Sequence, residues 1–361
     1  MSTSILNLDL KDFKLPAWLK LGKPLGMRSG LRVKYPPVAV DIGTNDFVYA
    51  RLTREKERKR WSLGGFEIVP IPSELVETEV FRFKIRDPGR FRSLVAAAVH
   101  KNGVKTEQIS LVVPDHLARV ALLAFEELPR SRKEVIELLK WKMKKAVPFK
   151  VDEAVVDYQV IPSREKGFTI LAILMPIGIV REHESVFRDQ GIRPGLIDLS
   201  TFSLVHLYRS VIDGEVPAGG DFMLLNGTAT FLTAMVFRAG TPIFYRCKTF
   251  GLSGVADAEA KYRLFHREIQ ASLLYYQERL DGKKLARVYM ALVGLDPGRV
   301  SDLFSDAPTA MRPELIDVRR VVDVDGEIDA LEARRKEEVL QRLAPAVGAA
   351  LGREPTGGAV S

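Results

Sequence analysis

Cysteine is nearly absent from this chain of 361 residues, where Cys247 is the single example. One thiol cannot form an internal disulfide, so the composition does not tie the chain to an oxidising compartment. Histidine is also scarce, and no two of the five histidines have the spacing of zinc ligands. A Walker-type phosphate loop and the Gly-x-Ser-x-Gly motif of serine hydrolases are both missing. These absences argue against a disulfide-rich, zinc-dependent or serine-hydrolase protein.

Long apolar runs are missing as well. No stretch approaches the roughly 18–20 apolar residues that a membrane-spanning helix needs. The first residues alternate apolar with charged side chains, and they lack the continuous apolar core of a secretion signal. We therefore expect a soluble, cytoplasmic protein.

Apolar residues make up 46% of the chain, which suffices for a large core, and the length predicts two lobes or one large split domain. The formal net charge is +8, which could favour nucleic acid, acidic lipid head groups or an acidic partner. No basic motif interleaved with aromatic residues supports a nucleic-acid interface. Many basic residues also have acidic neighbours. We therefore interpret the charge as general surface character and predict no nucleic-acid partner.

Residues 1–36 are predicted to form a leader that precedes the folded part of the chain. The segment is rich in lysine and arginine, and Pro16, Pro24 and Pro36 argue against one long helix. A flexible tail is one interpretation. A weak membrane-surface or partner-binding arm is the other.

Two segments of the chain resemble each other. One begins at Val38 and leads into Asp41-Ile42-Gly43-Thr44, and the other begins at Met223 and leads into Asn226-Gly227-Thr228. Each is predicted to form a buried strand, a Gly-Thr turn and a returning strand. This repetition resembles the paired α/β lobes of actin, sugar kinases and heat-shock ATPases. In that architecture both turns face a central cleft, where backbone N–H groups hold phosphate and a strand-end aspartate holds a hydrated metal ion.

An amphipathic helix is predicted over residues 132–147. Its apolar stripe consists of Val135, Leu139, Met143 and Ala146. Trp141 lies about 200° from the centre of that stripe, at 100° per residue. Two interpretations stay open: Trp141 packs under a neighbouring loop, or it anchors a partner segment with Lys144 and Lys145 as a polar rim.

Several short motifs, taken in order, resemble the PilM family of type IV pilus assembly. They are Val-Pro-Phe at 147–149, Val-Asp-Tyr-Gln-Val at 156–160, Gln-Gly-Ile-Arg-Pro at 190–194, Ile-Asp-Leu-Ser-Thr-Phe at 197–202, Glu-Ile-Gln-Ala-Ser-Leu at 268–273 and Leu-Ala-Pro-Ala-Val-Gly-Ala-Ala-Leu at 343–351. Each motif is short, but together they cover roughly residues 37–353.

The resemblance implies an α/β, actin-like (ribonuclease-H-type) fold with two lobes and a small α/β subdomain inserted in the first lobe. The predicted order is a leader at 1–36, a first lobe at 37–126 and 191–218, an inserted subdomain at 127–190, a second lobe at 219–326, a C-terminal helix at 327–353 that returns to the first lobe, and a tail at 354–361.

The resemblance also implies a function. PilM-like proteins lie under the inner membrane, bind the short cytoplasmic tail of the membrane protein PilN, and connect it to other proteins of the pilus platform. We therefore predict a cytoplasmic scaffold that is associated with the inner membrane only through its partners. Trp141, Lys144 and Lys145 are its predicted partner-binding residues.

Family members bind ATP in the cleft, but this sequence departs from the family at three positions. Val48 stands where the family has a lysine, Leu225 replaces the second-lobe aspartate, and Leu292-Val293 replaces a glycine pair. Leu225 cannot accept a hydrogen bond from a metal-bound water, and each lost charge-assisted hydrogen bond costs roughly 1.5–3 kcal/mol. We predict a degenerate cleft with weakened binding of ATP and Mg²⁺, no confident cofactor and no catalytic residue.

The residues that remain could form a residual nucleotide site. They are Asp41, Gly43, Thr44, Asn45, Asp198, Gly227, Thr228 and Gly294, with Asp41 holding a metal ion through water. The same residues also have a plain structural interpretation, in which the glycines only form turns and Asp41 caps one.

Two other functions belong to the same fold. The alternative to the scaffold is a functional actin-like, ATP-binding regulator of pilus or type II secretion assembly. A small-molecule kinase is disfavoured by Leu225, because that chemistry needs a metal ion and a catalytic acid.

Overall fold

The computed structural model describes residues 36–54, 60–101, 108–162, 167–188, 190–251, 258–305, 312–324 and 326–352. The predicted tail, and the predicted leader up to residue 35, lie outside the described residues. Within the described ranges, no helix is both long enough and apolar enough to cross a membrane.

The described residues up to 215 form ten strands and four α-helices. In chain order these are β1 (Val38–Ile42), β2 (Asp46–Arg54), β3 (Trp61–Pro70), β4 (Val76–Glu79), β5 (Arg82–Ile85), α1 (Pro88–Lys101), β6 (Gln108–Val113), β7 (Arg119–Phe125), α2 (Arg132–Met143), β8 (Ala154–Pro162), β9 (Phe168–Pro176), α3 (Ile177–Arg188), β10 (Arg193–Leu199) and α4 (Ser200–Glu215).

The C-terminal part continues with β11 (Asp221–Thr228), β12 (Phe231–Arg238), β13 (Thr241–Thr249), α5 (Ala258–Arg279), β14 (Leu285–Val293), α6 (Pro297–Asp302), β15 (Glu314–Leu315) and α7 (Ala333–Leu351).

Two five-stranded sheets share one topology. The first has the order β3-β2-β1-β6-β10, and the second has the order β13-β12-β11-β14-β15. In each sheet the first strand pairs antiparallel with the strand that follows it and parallel with a later one, as β1 does with β2 and β6, and β11 with β12 and β14. The repeated hairpins of the sequence therefore correspond to two lobes of the same design.

The central strands are apolar on nearly every residue because both faces of their sheets are covered. Residues Val38–Ile42 are buried except for Asp41, which is half-buried. Helices α1, α3, α4 and α7 all pack on or beside the first sheet. The second sheet has its own cluster of buried apolar residues, which includes side chains of α5.

The inserted subdomain is a three-stranded sheet, β7-β9-β8, covered by α2. Its first strand, Arg119–Phe125, begins before the predicted boundary at 127, because β7 pairs with β9 rather than with the first lobe. Helix α3, which the sequence placed inside the insertion, contacts α1, β5 and β10 of the first lobe as well as β9 of the insertion.

Helix α2 begins with a capping box, in which Ser131 and Glu134 exchange hydrogen bonds between side chain and backbone. It ends at Met143, earlier than the predicted 147, and Ala146 is exposed rather than part of the apolar stripe. The rest of that stripe is buried as predicted, at Val135, Leu139 and Met143.

Helix α7 connects the two lobes. It packs against α4, β1 and β2 of the first lobe and also contacts β14 of the second. Its Pro345 lies within the helix, and the residues around it are buried.

Candidate functional site

Three aspartates come together at the carboxyl edge of the first sheet. Asp41 lies near the end of β1 and Asp198 near the end of β10, while Asp115 follows β6. Strands β1, β6 and β10 are parallel neighbours, so their carboxyl ends meet at one edge. The sequence analysis did not include Asp115, although its position directly after a buried strand is the signal that could have found it.

Asp115 is fully buried and is held by groups from both lobes. It accepts a hydrogen bond from the backbone N–H of Thr201 at 3.1 Å and another from the Thr201 hydroxyl. The side-chain amide of Asn226 lies 3.3 Å from a carboxylate oxygen of Asp115. The same amide nitrogen lies 2.8 Å from Ser200 Oγ and 3.0 Å from Thr201 Oγ1.

We call this group of four residues, Asp115, Ser200, Thr201 and Asn226, the clasp. Asn226 belongs to β11 of the second lobe, and the other three belong to the first lobe. The clasp therefore closes the floor of the cleft with direct protein contacts.

Strand alternation explains why Asn226, and not Leu225, reaches the cleft. Leu225 is fully buried among the apolar residues of the second lobe. Asn226 points to the opposite face, where it meets the clasp. The sequence analysis treated Asn226 only as a turn residue, because a contact with a partner 111 positions away leaves no local pattern.

The first turn satisfies its own backbone groups. The N–H of Gly43 donates to the carbonyl of Asp46 at 2.9 Å, and the carboxylate of Asp46 pairs with Arg342 of α7 at 2.6 Å. Asn45 is exposed, and its carbonyl accepts from the N–H of Ile71. The Thr44 hydroxyl is buried and has no hydrogen-bond partner among the described residues.

Gly227 and Thr228, predicted as a turn, instead lie at the end of strand β11, and neighbouring side chains pack closely around Gly227. A Cβ added at Gly227 would lie 2.9 Å from Leu292 Cδ2 and 3.1 Å from Phe265 Cε1. The hydroxyl of Thr228 accepts from the backbone N–H groups of Thr230 and Phe231, both at 3.2 Å. Gly227 and Thr228 are thus engaged within the second lobe.

Helix α7 contacts the carboxyl end of β14 through the side chain of Gln341. Gln341 Oε1 accepts from the N–H of Leu292 at 3.0 Å, and Gln341 Nε2 donates to the carbonyl of Ile316 at 2.8 Å. Gly294 has a φ of 69°, which favours glycine, and no described atom lies within 4 Å of a Cβ built there. Of the predicted second-lobe site residues, Gly294 is the one with open space beside it.

Burial changes the proton affinity of the cleft carboxylates. It raises the pKa of Asp41 to about 8, with further contributions from the negative charges of Asp46 and Asp115. Burial likewise raises the pKa of Asp198 to about 7, although hydrogen bonds from Ser203 and the N–H of Leu199 oppose the change. The pKa of Asp115 is also raised by burial, against the opposing hydrogen bonds of Thr201 and Asn226. At neutral pH, Asp41 is therefore largely protonated.

The predicted partner-binding residues lie on the inserted subdomain, away from the clasp. Trp141 is 74% exposed, so its ring does not pack under a loop. Lys144 and Lys145, just beyond the end of α2, are exposed as well. An exposed indole flanked by lysines is a chemically suitable anchor for a partner.

A groove of about 420 Å³ lies where the first lobe, the insertion and the second lobe meet. The first lobe contributes Phe81 and His116, the insertion contributes the start of β7, and the second lobe contributes β13 and Tyr275. Both β7 and β13 are edge strands of their sheets as described. Arg119 and Lys248 line the groove, and neither forms an ion pair with another described residue.

Comparison with solved structures finds proteins of similar fold. A PilM–PilN type IV pilus biogenesis complex matches with a TM-score of 0.70 and 17% sequence identity, covering 88% of this chain and 98% of that chain. The fold of this chain is PilM-like. The predicted actin-like α/β fold is thereby confirmed, and the identity is low enough that the likeness shows the fold alone.

Two other structures match more distantly. A Bacteroides thetaiotaomicron protein with an actin-like ATPase fold has a TM-score of 0.45 at 8% identity, covering 79% of this chain and 91% of that chain. The cytoplasmic domain of EpsL, an inner-membrane component of the Vibrio cholerae type II secretion system, has a TM-score of 0.40 at 8% identity, covering 85% and 94%. These scores are too low to carry an argument. No protein-family model and no curated protein matches the chain.

The actin-like fold implies a nucleotide with Mg²⁺, and the residues of the cleft do not fit that group. Without a bound cation Asp41 is largely protonated at neutral pH, so a hydrated Mg²⁺ ion would have to displace its proton. The N–H of Gly43 and the amide of Asn226 already have protein partners. Within the described ranges, no group of three or more His, Cys, Asp or Glu side chains is arranged to hold a metal ion.

Proposed function

We propose that this protein is a cytoplasmic actin-like scaffold of the type IV pilus assembly platform. It binds the short cytoplasmic tail of a PilN-like inner-membrane protein, and it reaches the membrane and other platform proteins through that partner. The observation that carries the proposal is the groove between β7 and β13. The PilM–PilN complex of similar fold supports the choice of partner.

The groove suits an extended peptide. Strands β7 and β13 contact each other at the groove, so an extended peptide would lie over them and place its alternate side chains in the spaces between theirs. The walls include apolar side chains such as Val80 and Tyr275, both 45% exposed. Arg119 and Lys248 add positive charge. We therefore expect a segment with alternating apolar residues and at least one carboxylate.

The scaffold needs no nucleotide chemistry. Side chains of the second lobe pack closely around Gly227, and the clasp joins the lobes directly. This supports a degenerate cleft, in which Asp41, Asp198 and the turn residues maintain structure. It gives no support to the alternative of an ATP-dependent regulator.

ATP hydrolysis is expected to be absent or very weak, because the cleft lacks a second-lobe carboxylate for the metal. Calorimetry with Mg–ATP should show a dissociation constant weaker than about 100 μM, given the lost contacts. Mg²⁺-dependent hydrolysis by a clean preparation, abolished in Asp41→Ala, would contradict the proposal and favour the ATP-binding regulator.

Tail binding is expected to weaken about fivefold, or on the order of 1 kcal/mol, in Lys248→Glu, because the substitution reverses a charge at the groove. Fluorescence anisotropy would measure it, with a labelled peptide that carries the tail sequence of the PilN-like protein from the same genome. Lys283→Glu is the matched control, since it makes the same charge change at an exposed site outside the groove lining.

The same titration tests Trp141. If its ring anchors the tail, Trp141→Ala must weaken binding by at least about 1–2 kcal/mol. The melting temperature should stay nearly unchanged because the side chain is 74% exposed. Normal binding by Trp141→Ala together with weakened binding by Lys248→Glu would place the tail in the groove alone. Normal binding by both variants would contradict the docking proposal.

A further inference from the structure

We propose that the clasp holds the two lobes at the angle that forms the groove, and so takes over the closing role that a nucleotide would have in an actin-like cleft. This inference concerns the regulation of the docking site and rests on the proposed function. It starts from contacts that cross between the lobes.

The residues of the clasp are buried, and the Asn226 amide has several hydrogen-bond acceptors. Asp115, Ser200, Thr201 and Asn226 are all buried. The Asn226 amide has two hydrogens, and three oxygen atoms of the first lobe lie within 3.3 Å of its nitrogen. Opening the lobes would remove this donor from a buried carboxylate, and a buried polar group without its partner is strongly unfavourable.

A single turn of 3-10 helix connects the clasp to the groove. The turn consists of Asp115, His116 and Leu117, all buried. Asp115 belongs to the clasp, and His116 is its immediate neighbour in the chain and lines the groove. A shift of Asp115 therefore moves a groove residue directly.

His116 also holds the opposite wall of the groove in place. Its carbonyl accepts from the N–H of Phe81 at 3.1 Å, and its Nε2 atom lies 3.3 Å from the hydroxyl of Thr78. Its ring packs against Phe231 of the second lobe, with centroids 5.4 Å apart. His116 therefore contacts the first-lobe wall of the groove and, through Phe231, the second lobe.

Helix α4 is fixed to the second lobe at both ends. Its N-terminus carries Ser200 and Thr201, which contact Asn226. Near its C-terminus, Glu215 accepts hydrogen bonds from Arg320 and Tyr289. The lobes also share buried apolar contacts, among them Phe202 against Tyr245 with ring centroids 5.8 Å apart, so breaking the clasp would loosen the lobes without separating them.

The test compares two variants that each remove buried hydrogen bonding. Asn226→Ala removes the contact between the lobes. Tyr276→Phe removes a buried hydrogen bond to Asp221, 2.7 Å long, that lies entirely within the second lobe. Ser200→Ala, which removes one acceptor of Asn226, serves as a milder variant if Asn226→Ala folds poorly.

Affinity for the labelled tail peptide should fall at least about tenfold in Asn226→Ala and less than about twofold in Tyr276→Phe, in proportion to the loss of the closed state. The loss of affinity in Ser200→Ala should lie between these two values. Equal weakening in Asn226→Ala and Tyr276→Phe, or normal binding by Asn226→Ala, would overturn the inference.

Hydrogen–deuterium exchange without peptide separates this inference from the proposed function. Asn226→Ala should speed exchange at residues 115–120 and 244–249, on both sides of the groove, whereas Tyr276→Phe should not. If the wild type fails to bind the tail peptide, but exchange is faster in Asn226→Ala than in the wild type, the docking proposal fails and the proposed role of the clasp in holding the lobes stands. An unchanged exchange pattern in Asn226→Ala would overturn the clasp whatever the peptide does.

Discussion

Gly348→Ala is expected to destabilise the protein by about 2–4 kcal/mol, despite the better helix propensity of alanine. Gly348 lies in α7, where that helix crosses α4. An added Cβ would lie 2.0 Å from the carbonyl oxygen of Ser203 and 3.1 Å from Leu207 Cβ. The first contact is with backbone, so no side-chain rotation can relieve it. The two helices would have to move apart, although the residues around them are fully packed.

Gly214→Ala is the matched control for that substitution. Gly214 lies in α4, and no described atom outside its own helix lies within 4 Å of a Cβ built there. Alanine at this position should stabilise the protein by up to about 1 kcal/mol, because it only favours the helix. Urea denaturation followed by circular dichroism measures both variants. A loss of stability in Gly348→Ala no larger than the change in Gly214→Ala would show that the two helices are less closely packed than described.

Local patterns explain how much of the fold could be predicted from sequence. The hairpins that begin at Val38 and Met223 can be recognised from the sequence because the two strands of each hairpin are adjacent in the chain. Strand β7 was missed because its partner, β9, comes only after the whole of α2 and β8.

The candidate site was predictable only in part. Asp41 could be named from its Asp-Ile-Gly-Thr motif, and Asp198 from a motif that resembles the PilM family. Asp115 and Asn226 meet across 111 positions, and the groove takes residues from three separate parts of the chain. No spacing rule encodes such contacts. The helical period of α2 placed Trp141 off the apolar stripe, but it left open whether a loop covers the ring, and the structure shows the ring exposed.

The second large effect concerns pH: between pH 6.5 and pH 8.5 the protein is expected to lose about 2–3 kcal/mol of stability. In the folded state the pKa of Asp41 is about 8 and that of Asp198 about 7, against an ordinary value of 3.8. Above pH 4 the unfolded chain releases both protons, while the folded protein keeps them. Stability therefore falls as pH rises, and the fall ends once pH exceeds the folded pKa values.

The double variant Asp41→Asn/Asp198→Asn should remove most of this dependence, because the amides are neutral in both states. Asp213→Asn, at an exposed position on α4, should leave the slope as in the wild type. Urea denaturation at several pH values measures the slopes. The histidines with lowered pKa values, His116 and His183, act in the opposite direction, but mostly below this window, because their effect lies between the folded pKa values of about 4 and the ordinary value of 6.5. A flat wild-type profile would mean that both aspartates are ionised in the folded protein. The cleft would then carry the negative charge that a hydrated metal ion needs, and the case against Mg²⁺ at Asp41 would fail.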